Sequence, residues 1–505
     1  MKFNFWKFLI LFLGLSIIIQ PACNKSKLDL LPHGPTEQSY FVQESDFTKA
    51  VFGGYAKLTD FYWYHGDPYS GLYTIFYLPG DDITVNDNEE FEQFGSLQPS
   101  SGRINEFYSV CYQIIARSNV ILQKINEVAD GIYTTPNLKE YHKGEALFLR
   151  GFANYYLWNY FGTAPLDTAR VTSTDQFTPP NSTGTELLDQ AITDFSEAAS
   201  LLPSDWEEAN RGRATANSAN GFLGKCLVFR ASVNKSNEDY LAAIAAINKI
   251  SGATLVPDFN DNFSWDTENN SESIFEFQAS QAFALDNIWL SNDFDNAVGS
   301  ISAYYGFYDN DGGTFAGYGK SRFYATSKLL NAFDPADPRL DATMDPSDRT
   351  VKKYVTRNKS TQAGGGSVNN TRLLRYADVL LLKAEAIIQS GGSAAEAIGL
   401  INQVRTRARN MVGGGTEPAD YSTAETNATT IMNWIIKERL LELAGEGQRW
   451  FDLRRWQMEG IINLDNAYFS SNTNTMSFQL PKHLNFPIPN GEIDVNPNVH
   501  QNEGY

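Results

Sequence analysis

Apolar residues recur at alternating spacings of four and three positions through much of the chain, a pattern that predicts amphipathic helices. Between residues 185 and 202 one such stripe consists of Leu188, Ile192, Phe195, Ala199 and Leu202. Thr185 precedes this stripe as a candidate N-cap, and Pro203 follows its end. The same periodicity predicts helices at 214–233, 239–250, 377–388 and 394–409.

The helical stretches lie at about 40–60, 103–250 and 371–456, and small residues such as Ala384 and Ala386 occupy their packing positions. This spacing suits tetratricopeptide-like helical pairs, which need close approach between neighbours. Two loop-rich insertions, at about 60–102 and 251–370, are rich in Asn, Asp, Gly, Ser and aromatic residues. Because no long polar linker divides the chain, we predict one mainly α domain at 23–505.

The first 22 residues have the features of a bacterial secretory signal. Lys2 and Lys7 precede an apolar run from Phe8 to Ile19, which is too short for a comfortable membrane span. The run leads to a small residue immediately before Cys23. This junction indicates a lipoprotein signal peptide at 1–22 with lipidation of Cys23, although a plain secretory signal remains the alternative.

Charge and residue usage exclude several classes of function. Lys and Arg number 40 against 59 Asp and Glu, for a net charge of -19, which disfavours nucleic-acid binding. The five histidines lack metal-ligand spacing, and the three cysteines do not provide a disulfide framework. We therefore expect no metal, no cofactor and no catalytic residue. Cys111 and Cys226 lie on helix-like stretches and are predicted to be buried thiols.

Several spaced motifs then make the chain recognisable. They include Gly144-Glu145-Ala146, Gly212-Arg213-Ala214-Thr215, Asp337-Pro338-Arg339-Leu340, Arg375-Tyr376-Ala377-Asp378, Glu438-Arg439-x-x-Glu442-Leu443 and Glu446-Gly447-Gln448-Arg449-Trp450-Phe451-Asp452-Leu453-Arg454-Arg455-Trp456. In this order they resemble the SusD/RagB family of outer-membrane nutrient-binding lipoproteins of Bacteroidota. The chain departs from the family pattern at Gln448, often His, and at Glu503, often Pro.

The resemblance implies an α-helical, tetratricopeptide-like solenoid with loop-rich insertions, anchored in the outer membrane through Cys23. It also implies a surface-exposed protein that lies over a SusC-like TonB-dependent transporter and captures a glycan or a peptide. Enzymatic activity is not expected of such a protein.

The charged residues of the last motif and the aromatic run Tyr155–Phe161 both have a structural interpretation. Glu438, Glu442 and Glu446 recur every four residues, and Arg449 and Arg454 are suited to bidentate pairing with carboxylates of this motif. We therefore predict a buried ion network rather than a catalytic carboxylate pair. The aromatic run occupies several faces of one helix, so we predict that it packs in the core.

The insertions carry two aromatic groups that are candidates for ligand binding. The first is Trp63 and Tyr64, with Asp67 or Asp82 as acceptors for sugar hydroxyls, and the second contains Trp289, Tyr304 and Tyr305. We expect the two groups to converge on one exposed face. The alternative is that each loop packs against its own domain or against the transporter.

These observations favour capture of an oligosaccharide or polysaccharide. A peptide-binding member of the same architecture is an alternative, and a surface glycoside hydrolase is a weaker one. A hydrolase needs two carboxylates about 5–9.5 Å apart across a cleft.

Overall fold

The computed structural model describes residues 40–62, 72–279, 321, 323–354, 362–363, 366–367 and 369–505. Its helices are α1 (Glu44–Ala56), α2 (Thr59–Tyr62), α3 (Tyr73–Tyr77), α4 (Glu90–Gln93), α5 (Gly102–Glu127), α6 (Leu138–Phe161), α7 (Glu186–Leu201), α8 (Ala216–Asn234), α9 (Asn237–Ile247), α10 (Ser327–Ala332), α11 (Arg339–Thr343), α12 (Tyr376–Gln389), α13 (Ala394–Asn410), α14 (Ala428–Leu443), α15 (Arg449–Glu459) and α16 (Asn490–Val495). The mainly α class predicted from the sequence is confirmed.

The strands are short and pair two by two. They are β1 (Ile83–Thr84), β2 (Ser273–Phe277), β3 (Tyr324–Ala325), β4 (Gln362–Ala363), β5 (Gly366–Ser367) and β6 (Thr371–Arg375). β1 pairs with β3, β2 with β6 and β4 with β5, each time antiparallel. The first two pairs join residues of the two insertions to each other and to the start of α12.

The long helices pack against their sequence neighbours from α5 to α9, and α9 then packs against α12, which contacts α13 and α14. This succession of helical pairs matches the predicted arrangement. Thr185 occupies the N-cap of α7, but its hydroxyl donates to Asp189 at 3.2 Å instead of capping a backbone N–H. Thr185 is therefore the N-cap residue, as predicted, but its side chain does not cap the helix.

Two glycines explain how closely the helices approach. A Cβ at Gly224 of α8 would lie 2.5 Å from Ile247 Cγ1 of α9, and one at Gly144 of α6 would lie 2.9 Å from Leu202 Cγ. Larger residues at these positions would push the helices apart. Glycine is thus required at both contacts for packing.

The interior between the helices is strongly aromatic. Tyr155, Trp158 and Tyr160 of α6 are at most 1% exposed, which confirms the predicted core role of this run. Cys111 and Cys226 are free and buried, also as predicted. Within the described ranges, no helix combines the length and hydropathy that crossing a bilayer requires.

Candidate functional site

The predicted binding residues fall mainly in two segments of the insertions. Trp63, Tyr64 and Asp67 belong to 63–71, and Trp289, Tyr304 and Tyr305 belong to 280–320, so all six lie outside the described residues. Cys23 also lies outside them. The geometry that bears on the site is therefore that of the residues flanking these segments.

The first residue before one segment contacts a residue close to the start of the other. The Tyr62 ring lies 5.3 Å from the Phe277 ring, centroid to centroid, and stacks on Phe76 of α3 at 5.3 Å. The Tyr62 hydroxyl is hydrogen-bonded to the Tyr156 hydroxyl in the core. These contacts hold the ends of α2 and β2 together above α6.

The residues after the two segments are also in contact. Phe323 lies edge-on to Tyr73 and Tyr77 of α3, with ring centroids 5.4 and 5.6 Å away. Immediately beyond, Ile83 of β1 pairs with Ala325 of β3. Since α3 contacts both Tyr62 and Phe323, residues that flank both segments meet at this one short helix.

Asp82 is the one predicted binding residue that the structure describes, and it is buried. It is 2% exposed, and its Oδ2 accepts a hydrogen bond from the Gly445 N–H at 2.9 Å. Burial, together with the charge of Asp81, raises the pKa of Asp82 to about 6, although the Gly445 hydrogen bond opposes the shift. A carboxylate in this position does not reach a sugar on the surface. The structure thus replaces the proposed ligand contact of Asp82 with a structural role.

Asp81, the neighbouring residue, has a different electrostatic environment. It accepts hydrogen bonds from Arg449 and forms an ion pair with Lys328 at 2.6 Å. Burial alone would raise the pKa of Asp81, but the two cations outweigh it and hold this pKa well below its ordinary value. The pKa values of two adjacent carboxyl groups are thus shifted in opposite directions, down for Asp81 and up for Asp82.

The charged motif forms a buried network, as predicted. Glu438 and Glu442 are both 0% exposed. Arg339 bridges them with distances of 2.6 and 3.0 Å, and Arg375 and Arg407 also bind Glu442. Burial tends to raise the pKa of Glu442, yet the three guanidinium groups hold it well below its ordinary value. These carboxylates face cations instead of an open cleft, which is incompatible with a glycosidase pair.

Two pairings expected within this network are wrong. Arg449 binds Asp81, which lies far outside the motif. Arg454 donates to the Leu484 carbonyl and to Asn485 Oδ1, both at 2.7 Å, and stacks over Trp158. Both arginines are buried, but their partners come from loops that helical spacing does not identify.

A polar cleft of about 560 Å³, which the sequence pattern does not predict, lies beside Trp206. The indole Nε1 donates to the Ala214 carbonyl at 2.8 Å, and the Arg213 guanidinium stacks on the ring at 3.8 Å. Arg213 in turn binds the buried Glu145 at 2.6 Å. The available signal was a tryptophan in a loop close to the Gly212–Thr215 motif. Within the described part of the chain, no cluster of His, Cys, Asp and Glu is arranged to hold a metal ion.

Comparison with known proteins decides the family. The SusD family model matches residues 345–505, and a model described as starch-binding, associating with the outer membrane, matches residues 80–227. The chain belongs to the SusD family. SusD-like protein P2 of Formosa agariphila is 25% identical over an alignment that covers 93% of this chain and 94% of that protein.

Solved structures share the fold over most of their length. A SusD homologue from Bacteroides thetaiotaomicron has a TM-score of 0.76 at 22% identity, covering 93% of this chain and 99% of the homologue. A laminarin-binding SusD-like protein has a TM-score of 0.71 at 22% identity, and the match covers 92% of this chain and 100% of that protein.

The SusD family comprises surface glycan-binding proteins that are associated with the outer membrane and are non-catalytic. This membership confirms that the chain is not an enzyme. The burial of Glu438 and Glu442 excludes these two residues as a glycosidase carboxylate pair.

Proposed function

We propose that this SusD-family protein is a surface lipoprotein that captures a glycan and delivers it to a SusC-like TonB-dependent transporter. The contacts between residues that flank segments 63–71 and 280–320 carry the proposal: Tyr62 contacts Phe277, and Tyr73 contacts Phe323. Trp63 follows Tyr62 directly, and Trp289 is 12 residues beyond Phe277. These short separations along the chain support a common face for Trp63 and Trp289.

Sharing of one ligand by both groups has an energetic basis. Covering roughly 60–100 Å² of apolar sugar surface contributes on the order of 1.5–3 kcal/mol before ordering costs. Micromolar binding requires about 8 kcal/mol. One aromatic platform is thus too weak for micromolar binding. Several platforms together, with hydrogen bonds from Asp67, supply enough binding free energy; they are Trp63, Tyr64, Trp289, Tyr304 and Tyr305.

The names of structural relatives support a glycan as the first ligand class to test. One protein of the same fold is called laminarin-binding, and others are called surface glycan-binding protein A. Laminarin is therefore a reasonable first probe. The net charge of -19 also favours a neutral polymer over a polyanion.

Attachment to the outer membrane is proposed to occur through Cys23. Removal of residues 1–22 would leave this cysteine at the N-terminus, and two or three acyl chains anchor a protein stably. Loss of Lys2 and Lys7 makes the mature chain more acidic, so attraction to anionic lipid does not hold it.

The test is a glycan and peptide array probed with the mature protein, followed by titration of Trp63→Ala and Trp289→Ala against the best ligand. We expect each substitution to weaken binding at least tenfold. Trp265→Ala is the matched control, since Trp265 is 37% exposed in a described segment outside both groups. Binding of peptides alone would overturn the glycan assignment. Unchanged affinity in both variants would move the site elsewhere.

A further inference from the structure

A second concave surface lies between α13 and the segment 253–257. It is a groove of about 690 Å³, within the range typical of ligand sites. Its lining includes Leu255 and Pro257 on one side, Tyr376 at the base of α12, and Gly399, Gln403 and Asn410 on α13. None of these residues belongs to the insertions' aromatic groups.

The walls of the groove are fixed by hydrogen bonds to the scaffold. The Thr254 N–H donates to the Ser271 carbonyl, and the Val256 N–H donates to Glu272 Oε2, both at 2.9 Å. Such bonds hold the 253–257 segment in place without a ligand. A preformed groove binds with a smaller loss of conformational entropy.

The α13 wall carries a row of uncharged residues at helical spacing. Gly399, Gln403, Thr406 and Asn410 follow each other at intervals of four, three and four, so they share one face. Gln403 and Asn410 are exposed, and no hydrogen bond among the described residues uses their side-chain amides. A primary amide both donates and accepts, as a sugar hydroxyl does.

Gly399 differs from the glycines that pack the helices together. A Cβ at Gly399 would meet no atom of the described chain within 4 Å, whereas one at Gly224 would lie 2.5 Å from Ile247. Glycine in a helix interior is unfavourable compared with alanine. At Gly399 packing does not require it, but its missing side chain keeps the groove open.

The charge of the groove selects the ligand. Among the described residues, its lining contains no carboxylate, although the chain as a whole is acidic. The charged side chain in the lining is Arg407, which is buried and binds Glu272 at 2.7 Å as well as Glu442. A neutral ligand with many hydroxyl groups fits this surface better than an ionic one.

We propose that this groove is a second carbohydrate site that takes a neutral stretch of the captured glycan. The Tyr376 side chain, with Leu255 and Pro257, covers apolar sugar C–H groups, and the Gln403 and Asn410 amides bind hydroxyls. An extended peptide is disfavoured, because peptide addition needs a free strand edge. Here the Thr254 and Val256 N–H groups already have partners.

This inference rests on the proposed glycan capture, and it adds a second contact with the same polymer. When two sites hold one chain, the second binding event is intramolecular, and overall affinity rises without new contacts at the first site. The groove therefore strengthens binding of polymers long enough to reach it.

The experiment uses the full mature chain and a panel of laminarin, starch, xylan, mannan and alginate in affinity electrophoresis. Gly399→Leu fills the groove, and the Gln403→Ala/Asn410→Ala double variant removes its amides. Gly53→Leu is the matched control, because Gly53 is also a helical glycine whose Cβ would meet nothing within 4 Å. Trp289→Ala reports on the insertion site. Melting temperatures of all variants verify folding.

We expect Gly399→Leu to weaken binding of a neutral polymer at least fivefold, with a similar loss in the double variant and none in Gly53→Leu. If Trp289→Ala abolishes binding while both groove variants bind like wild type, the groove inference is wrong and glycan capture stands. If no polysaccharide in the panel binds the wild-type protein, the proposed function fails, and the groove site fails with it.

Discussion

Arg449 binds both carboxylate oxygens of Asp81, with 3.1 Å between Nη2 and Oδ2, although 368 positions separate the two residues. This ion pair connects the first residue of α15 to the segment that immediately precedes β1. Because β1 pairs with β3, the contact also supports the region where the two insertions meet.

Replacement of Arg449 by alanine should lower the free energy of unfolding by about 3 kcal/mol. Breaking this buried ion pair leaves the Asp81 carboxylate buried with one fewer cation. Lys328 still binds Asp81, which limits the loss. Urea denaturation measures the change. Arg409→Ala is the control, because its partner Asp420 is 49% exposed and such pairs contribute under about 1 kcal/mol. Wild-type stability combined with lost glycan binding would instead make Arg449 a ligand contact.

The Asp82→Asn substitution should stabilise the protein in a pH-dependent manner. Since the pKa of Asp82 is raised from 3.8 to about 6, the folded state binds a proton that the unfolded state releases between these values. Wild-type stability therefore falls as pH rises through this window and levels off above it. The difference in free energy of unfolding between Asp82→Asn and wild type should grow from near zero at pH 4 to about 3 kcal/mol at pH 7, in favour of the variant.

Thermal melts from pH 4 to pH 8 measure this difference. Asp341→Asn, which changes an exposed carboxylate, should give no such trend. A constant difference between Asp82→Asn and wild type across the range would contradict the assignment.

Alanine should have opposite effects at two helical glycines. At Gly224 the new Cβ would collide with Ile247, so we expect the free energy of unfolding to fall by about 1–3 kcal/mol. At Gly399 it meets no neighbour, so we expect a gain of about 0.5–1 kcal/mol. Guanidinium denaturation of both variants measures these changes in the free energy of unfolding. Equal shifts in one direction would contradict the packing argument.

Cys23→Ala should release the protein from the membrane fraction, because an alanine does not accept the acyl chains that the proposed anchor requires. Fractionation of cells and mass spectrometry of the membrane-extracted N-terminus measure the effect. Ser16→Ala, within the apolar run, is a control for general damage to export. An unmodified N-terminus at another residue would rule out the anchor.

The sequence predicts local features well, because helical periodicity depends on neighbouring residues. α7 and α13 begin and end within one residue of their predicted bounds. The core position of the aromatic run of α6 is predicted correctly, because the run occupies several faces of one helix and these faces are not all exposed together. The burial of Glu438 and Glu442 also follows from their spacing and charge.

Contacts between distant segments were less predictable. Arg449 was expected to pair within its motif, but its partner Asp81 lies on a loop that only the tertiary fold brings near. Asp82 resembled an exposed loop carboxylate because its sequence context does not reveal the Gly445 N–H that covers it. The partners of Arg454 are a carbonyl and an amide, which carry no charge pattern to detect.

The contacts of α3 with Tyr62 and Phe323 have a consequence for how such a protein diversifies. The described residues that flank segments 63–71 and 280–320 meet at this helix, and their rings pack against the core. We therefore expect that segments 63–71 and 280–320 can be exchanged together without altering the flanking residues that receive them. Transplanting the pair from a relative, with Tyr62, Phe277, Tyr73 and Phe323 retained, should transfer ligand preference while the recipient scaffold keeps its stability. If the proposed shared site is right, transplanting one segment alone should not transfer ligand preference.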